Sequence, residues 1–174
     1  CVRGAWAAGM SRPVPVDRWL AAAEAAFDAG DFRTAARWYR KAADARSPTA
    51  WHALGLLYSE GWGVRRDVPR ALAYYRKVWR KDGDTSACAN IALIHAQAGN
   101  RARALAWWTR AVERGDGDAA YDLAVFLLQG GREADLARAR ALLAWAPTAP
   151  RVSEGGAEDA RALLQALASE VGSD

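Results

Sequence analysis

Hydrophobic positions recur at three- and four-residue steps along most of this chain. Between residues 50 and 60 they fall at Trp51, Leu54, Leu57 and Tyr58, which is one face of a helix. Gly61-Trp62-Gly63-Val64 then interrupts the pattern, and glycine there can take the positive φ that closes a helix C-terminus. Asp67 is a good N-cap for a second helix, with Pro69 in its first turn, where a missing N–H does little harm. That helix is predicted to bury Ala71, Tyr74, Tyr75 and Val78. Gly55 lies on the first buried face. A glycine inside a helix costs about 1 kcal/mol against alanine, so its place there predicts close approach of a neighbouring helix.

The same two-helix pattern appears three more times. Val16 to Asp28 carries Trp19, Ala22, Ala23, Ala26 and Phe27 inward, turns at Gly30-Asp31, and continues with Phe32, Ala35, Trp38, Tyr39 and Ala42. A third pair opens near Asp84 with Ile91, Ala92, Ile94 and His95 inward, turns at Gly99-Asn100, and continues with Ala104, Trp107, Trp108 and Ala111. A fourth starts near Gly117 with Leu123 and Ala124, turns at Gly130-Gly131, and ends on Ala139, Leu142, Leu143 and Ala146. Ala35, Ala71, Ala104 and Ala139 are separated by 36, 33 and 35 residues, the period of stacked helix pairs. Pro147 and Pro150 break the last helix, and Gly155-Gly156 is predicted to form a loose link. Ala157 to Val171 then reads as a capping helix, with Ala160, Leu163, Leu164 and Leu167 on its apolar side, because a terminal repeat cannot leave its stacking face wet. Residues 1–15 show no sustained pattern and are expected to form a flexible tail.

Leu54, Gly55, Tyr58, Gly61, Gly63, Val64, Asp67, Ala71, Tyr74 and Tyr75 together resemble the Sel-one-like repeat (SLR), a branch of the tetratricopeptide (TPR-like) superfamily. The resemblance implies an all-α, right-handed α-α superhelix of about four helix pairs plus the C-terminal capping helix. It would be a single repeat domain over residues 16–171, with repeats near 16–47, 48–83, 84–116 and 117–146 and the cap at 157–171. It also implies a bacterial, non-catalytic scaffold or adaptor that binds a peptide or partner protein in a concave groove. In such arrays the first helix of each pair lines the groove. That places Leu20, Glu24, His52, Leu56, Ala89, Leu93, Tyr121, Val125 and Leu128 there, with Leu56 and Tyr121 as anchors and His52 as a polar edge contact.

Composition adds little to fold and something to partners. Apolar residues make up 52% of the 174 and charged ones 25%, which suits a globular or solenoid protein. No run of eighteen apolar residues occurs, so no transmembrane helix is expected. The net charge of +4 is uneven: residues 1–90 are basic and residues 131–174 acidic. Arg65, Arg66, Arg70, Arg76, Lys77, Arg80 and Lys81 crowd the second repeat, and steps of four and seven put Arg66, Arg70 and Lys77 on one side of a helix. This patch supports a second reading, a binder of anionic surfaces such as acidic lipid, polysaccharide or nucleic acid. Asp67, Asp82 and Asp84 dilute the patch, so a solvated outer face is the plainer interpretation, and the charge does not require nucleic acid.

Catalytic chemistry finds little support. The two cysteines, Cys1 and Cys88, form no disulfide framework and no metal-ligand cluster. Cys88 reads as a small buried hydrophobe. Cys1 is compatible with a lipidated mature N-terminus, the one route to a membrane considered, whereas Met10 is a plausible start; cytoplasm and cell envelope both stay open. His52 and His95 fall on different faces of successive units, so they are not expected to form a catalytic pair. No nucleophile elbow or phosphate loop occurs, and neither metal nor cofactor is expected. Trp38, Trp107 and Trp108 sit at fixed repeat positions and are expected in the core. Trp62, between two glycines, is expected either to pack on the next unit or to stand exposed as a contact residue. Ala71 and Ala104 are expected to resist enlargement and Ala157 to tolerate it.

Overall fold

The computed structural model describes residues 16–171; the tail expected over residues 1–15, with Cys1 and Met10, lies outside them. Nine α-helices follow in order: α1 Val16–Asp28, α2 Phe32–Asp44, α3 Pro48–Glu60, α4 Val68–Asp82, α5 Thr85–Gln97, α6 Arg101–Glu113, α7 Gly117–Gln129, α8 Glu133–Trp145 and α9 Glu154–Val171. A 3-10 turn over Ala146–Thr148 separates the last two. No strand occurs among the described residues. Packing gathers into two compact units, one ending at Ala71 and one beginning at Leu72.

In the first unit α2 packs on α1 and α3 on α2. Local signals set the helix ends. Asp31 Oδ1 accepts the Thr34 N–H and Ser47 Oγ accepts the Ala50 N–H, each satisfying an otherwise orphaned first-turn donor. Gly61, at φ 81°, closes α3 in the left-handed conformation. Trp51, Leu54, Gly55, Leu57 and Tyr58 are buried, as their spacing predicts. The first pair is shallower than expected. Only Ala23 of α1 is buried, while Trp19, Ala22, Ala26 and Phe27 are half-buried. Trp38 is also half-buried, with the Lys41 ammonium 4.2 Å over its ring, so it is an amphipathic surface residue rather than core.

In the second unit α5 packs on α6, α6 on α7 and α7 on α8, and α9 lies against α7 and α8. Ile91, Leu123, Leu127 and Leu143 are fully buried, with Trp108 among them. Asp84 and Asp116 cap α5 and α7 through Ser86 and Ala119. Trp107 departs from the expected core: it is half-buried, its ring 6.3 Å edge-on from Trp79 and 4.6 Å from the Arg110 guanidinium. Cys88 is buried as expected, and loss of hydration pushes its thiol up to about 12.

The C-terminal cap begins three residues earlier than its sequence suggests. The Asp118 carboxylate accepts from the Ser153 N–H and hydroxyl, and Ser153 Oγ in turn accepts the Gly156 N–H. Gly155 and Gly156, expected to be a loose link, therefore sit in the first turn of α9. The strand-like strap before it is tied to the start of α7: Gly117 N–H donates to Arg151 O at 2.6 Å and Arg151 N–H to Gly115 O at 3.0 Å. Any side chain at Gly117 would collide with Ala146, Ala149 and Val152. Ala157, expected to tolerate enlargement, is buried by this docking.

Two expected outcomes follow from the packing. Ala104 is fully buried and Ala102 exposed on the same helix. Ala104→Leu should lose about 1–3 kcal/mol in denaturant unfolding, whereas Ala102→Leu should lose little; equal losses would mean that the repeat register is wrong. His95 is buried, and desolvation, aided by Arg103 and Arg76, holds its imidazole below the ordinary 6.5. The unfolded chain therefore takes up a proton that the folded chain resists. Stability is complete above the unfolded value and declines as pH falls below about 6.5. Melting temperature measured against pH should fall less steeply from neutrality to pH about 5 in His95→Gln than in the parent chain.

Candidate functional site

Two concave sites stand out, one in each unit. In the second unit, Leu93, Ala96 and Gln97 of α5 face Tyr121, Asp122, Val125, Phe126 and Gln129 of α7 across a groove of about 450 Å³ floored by Trp108 of α6. Helical steps of three and four put each set on one side of its helix. The Trp108 and Phe126 ring centroids are 4.9 Å apart. The Arg101 guanidinium lies 5.0 Å over the Phe126 ring and is held by Asp135 at 2.6 Å, which also pairs with Arg132 at 2.9 Å. Leu93 is 48% exposed, a large apolar side chain left in water at the mouth.

The groove also has polar features. The Trp108 indole N–H is buried and meets no acceptor at full hydrogen-bond geometry. The Asp122 carboxyl is raised above its ordinary value. Partial loss of hydration is the main cause although the residue is exposed at the groove edge, Asp116 and Asp118 add repulsion, and interaction with the Trp108 indole opposes it. Asp122 forms no ion pair among the described residues.

Of the residues expected to line a groove, Leu93, Tyr121 and Val125 come together here. Ala89 is half-buried and does not line it. Leu128 lines a separate cavity of about 300 Å³ with Gly131, Arg132, Glu133 and Leu136. Leu20, Glu24, His52 and Leu56 belong to the first unit, where Glu24 is exposed and the other three are half-buried. Asp122, Phe126 and Gln129 were not anticipated, although Asp122 and Gln129 lie one helical step from Val125 and Phe126 one step from Asp122.

In the first unit a cavity of about 890 Å³ is framed by Arg40 of α2, Tyr58 of α3, the loop from Gly63 to Asp67, and Val68, Pro69 and Arg70 of α4. Tyr58 Oη accepts from Arg40 Nη2 at 3.2 Å and from Arg70 Nη1 at 3.0 Å. Burial acts to raise the phenol pKa, but those hydrogen bonds and the two positive charges outweigh it, and the net shift is downward. Arg66 was expected on the outer face of a helix. It precedes α4 instead, folding back so that its Nε donates to Ser59 O at 2.7 Å, one of the carbonyls that the end of α3 leaves unpaired. Arg76, Lys77, Arg80 and Lys81 are exposed farther along α4, with Lys77 5.2 Å over the Tyr74 ring. Arg40 is absent from the basic cluster read in the sequence, since nothing local links residue 40 to residue 58.

Trp62 does not pack on the next unit as expected. It is 40% exposed, yet its ring stacks 5.1 Å from Phe32 and lies 6.2 Å from Phe27, so it packs back on the first helix pair rather than forward. Gly63, at φ 65°, abuts the backbone of Phe32 and Arg33 so closely that no Cβ fits. Among the described residues no three of His, Cys, Asp and Glu are grouped to hold a metal ion, and no helix is long and apolar enough to cross a membrane.

The Sel1 repeat profile matches residues 28–47, 50–77, 86–116 and 117–144, more than half of the chain. Among solved structures, a Sel1 repeat protein from Oxalobacter formigenes is 27% identical, with a TM-score of 0.64 over 87% of this chain. A second, c5321, a protective antigen of uropathogenic Escherichia coli strains displaying an SLR fold, is 24% identical, with a TM-score of 0.56 over 77% of this chain. The chain spans 62% and 33% of the length of those two proteins. No curated protein matches it. The helix pairs, their glycine turns and these matches agree on the all-α SLR solenoid fold, and the chain belongs to the Sel1 repeat family.

Proposed function

We propose that this protein is an interaction scaffold and that the α5–α7 groove receives a segment of its partner protein. Sel1 repeat proteins generally mediate protein–protein interaction. The observation that carries the reading is Leu93, held half in water beside Tyr121 and Val125 in an aromatic-floored groove. Contact surfaces draw most of their energy from a few central apolar and aromatic residues enclosed by polar edges. Here Leu93, Val125 and Phe126 supply the apolar wall, and Gln97 and Gln129 the edges. Asp122, lacking a counter-charge, favours a basic residue beside the apolar anchor. The proposed occupant is therefore a peptide segment with one large apolar side chain flanked by lysine or arginine. Nothing in the groove assigns a covalent task, and the scaffold reading needs none.

The test begins with the partner recovered by cross-linking and mass spectrometry, followed by titration of the purified pair. Leu93→Ser with Tyr121→Ala should weaken the complex at least tenfold, about 1.4 kcal/mol. Melting temperature should fall only modestly, because both side chains are partly exposed. Arg76→Ala with Arg80→Ala should leave affinity intact in about half-molar salt, where exposed charges are screened. Loss of binding in the arginine pair and not in the groove pair would replace this reading with the anionic-surface one.

A further inference from the structure

We propose that the cavity framed by Arg40, Arg65, Arg66 and Arg70 over the Tyr58 hydroxyl is a binding site for a phosphoryl dianion. Four guanidinium groups line it and only one carboxylate, Asp67. That carboxylate is already engaged: Oδ1 caps α4 through the Arg70 N–H at 3.0 Å, and Oδ2 lies 3.5 Å from Arg70 Nε. Arg40 and Arg70 reach one phenol oxygen from two different helices. Two like charges brought to one atom repel each other, and the arrangement gains most when an anion sits between them. Arg66 is anchored by Nε to Ser59 O, and its terminal nitrogens make no further hydrogen bond among the described residues.

The frame is preorganised. Gly63 is wedged against the Phe32–Arg33 backbone, and the Asp67 N–H donates to Tyr58 O at 2.9 Å, so both ends of the arginine-bearing loop are fastened. Geometry selects among anions. A planar carboxylate is best matched by the fork of a single guanidinium. Guanidiniums converging from α2, the loop and α4 suit a tetrahedral group with three acceptor oxygens and two negative charges. The cavity volume, about 890 Å³, admits a phosphate monoester as well as the free ion. The lowered Tyr58 phenol is a second sign of the positive field.

Isothermal titration of the full chain with inorganic phosphate, at ionic strength held constant with sodium chloride, tests the site. Phosphate should bind saturably, and Arg40→Ala and Arg66→Ala should each weaken it at least tenfold while circular dichroism stays unchanged. Binding should weaken from pH about 8 to about 6 as the phosphate dianion takes up a proton, whereas binding of sulfate, a dianion at both values, should not. Glycerol 3-phosphate binding as tightly as phosphate would show that a monoester or lipid headgroup is admitted; weaker binding would confine the site to the free ion, and either result supports the pocket. Chloride matching phosphate, or Arg40→Ala binding as well as the parent chain, would overturn it. So would binding to phosphatidylglycerol vesicles with no response to phosphate, which would mean a diffuse charged surface. Leu93→Ser should leave phosphate binding unchanged, so this result and that of the groove fail separately.

Discussion

Four alanine methyl groups, at Ala35, Ala71, Ala104 and Ala139, set how the helix pairs are built. Each is fully buried on the second helix of its pair. A small side chain at that point allows close helix approach, and protein interiors tolerate neither a void nor an added methylene there. The buried residues that follow by four and seven positions continue the same face: Tyr39 and Ala42, Tyr75 and Val78, Trp108 and Ala111, Leu143 and Ala146. Polar chemistry only finishes the helices. Asp31, Ser47, Asp67, Asp84 and Asp116 each accept a first-turn N–H.

On that shared plan the loops create difference. The second repeat carries the extension from Gly61 to Asp67, and this extension, pinned on α2 by Gly63, brings Arg65 and Arg66 to Arg40 and Tyr58. The third repeat turns tightly at Gly99, and its α5 face is left open against α7 as a mostly apolar groove. One unit thus offers concentrated positive charge and the other an apolar cleft with a single uncompensated carboxylate. The two surfaces suit different ligand chemistries, and the same scaffold positions both.

Helices, caps and buried faces were legible in the sequence because they depend on neighbours three or four residues away. Asp84 and Gly61 do what their type and position suggest. Long-range contacts were not legible. The early start of α9 depends on Asp118 reaching Ser153, and the burial of Ala157 follows from that docking. The depth of burial was also hidden: period identifies the inward face of Trp38 and Trp107 but not how much of each ring its neighbours cover. For the groove, Leu93, Tyr121 and Val125 came from the family resemblance, whereas the aromatic floor at Trp108 and the raised Asp122 emerge only from packing. Arg40 escaped notice because eighteen residues separate it from Tyr58.

The central claim, that the α5–α7 groove is the partner-binding surface, is tested most directly by photo-cross-linking inside the cells that make the protein. A benzophenone side chain would be placed in turn at Leu93, at Val125 and at exposed Ala102 on α6. The account predicts one discrete cross-linked protein from positions 93 and 125 and none from 102, with the product lost when Tyr121→Ala is added. The same product from position 102 as from 93, or no product from either groove position while the protein is demonstrably in complex, would contradict it.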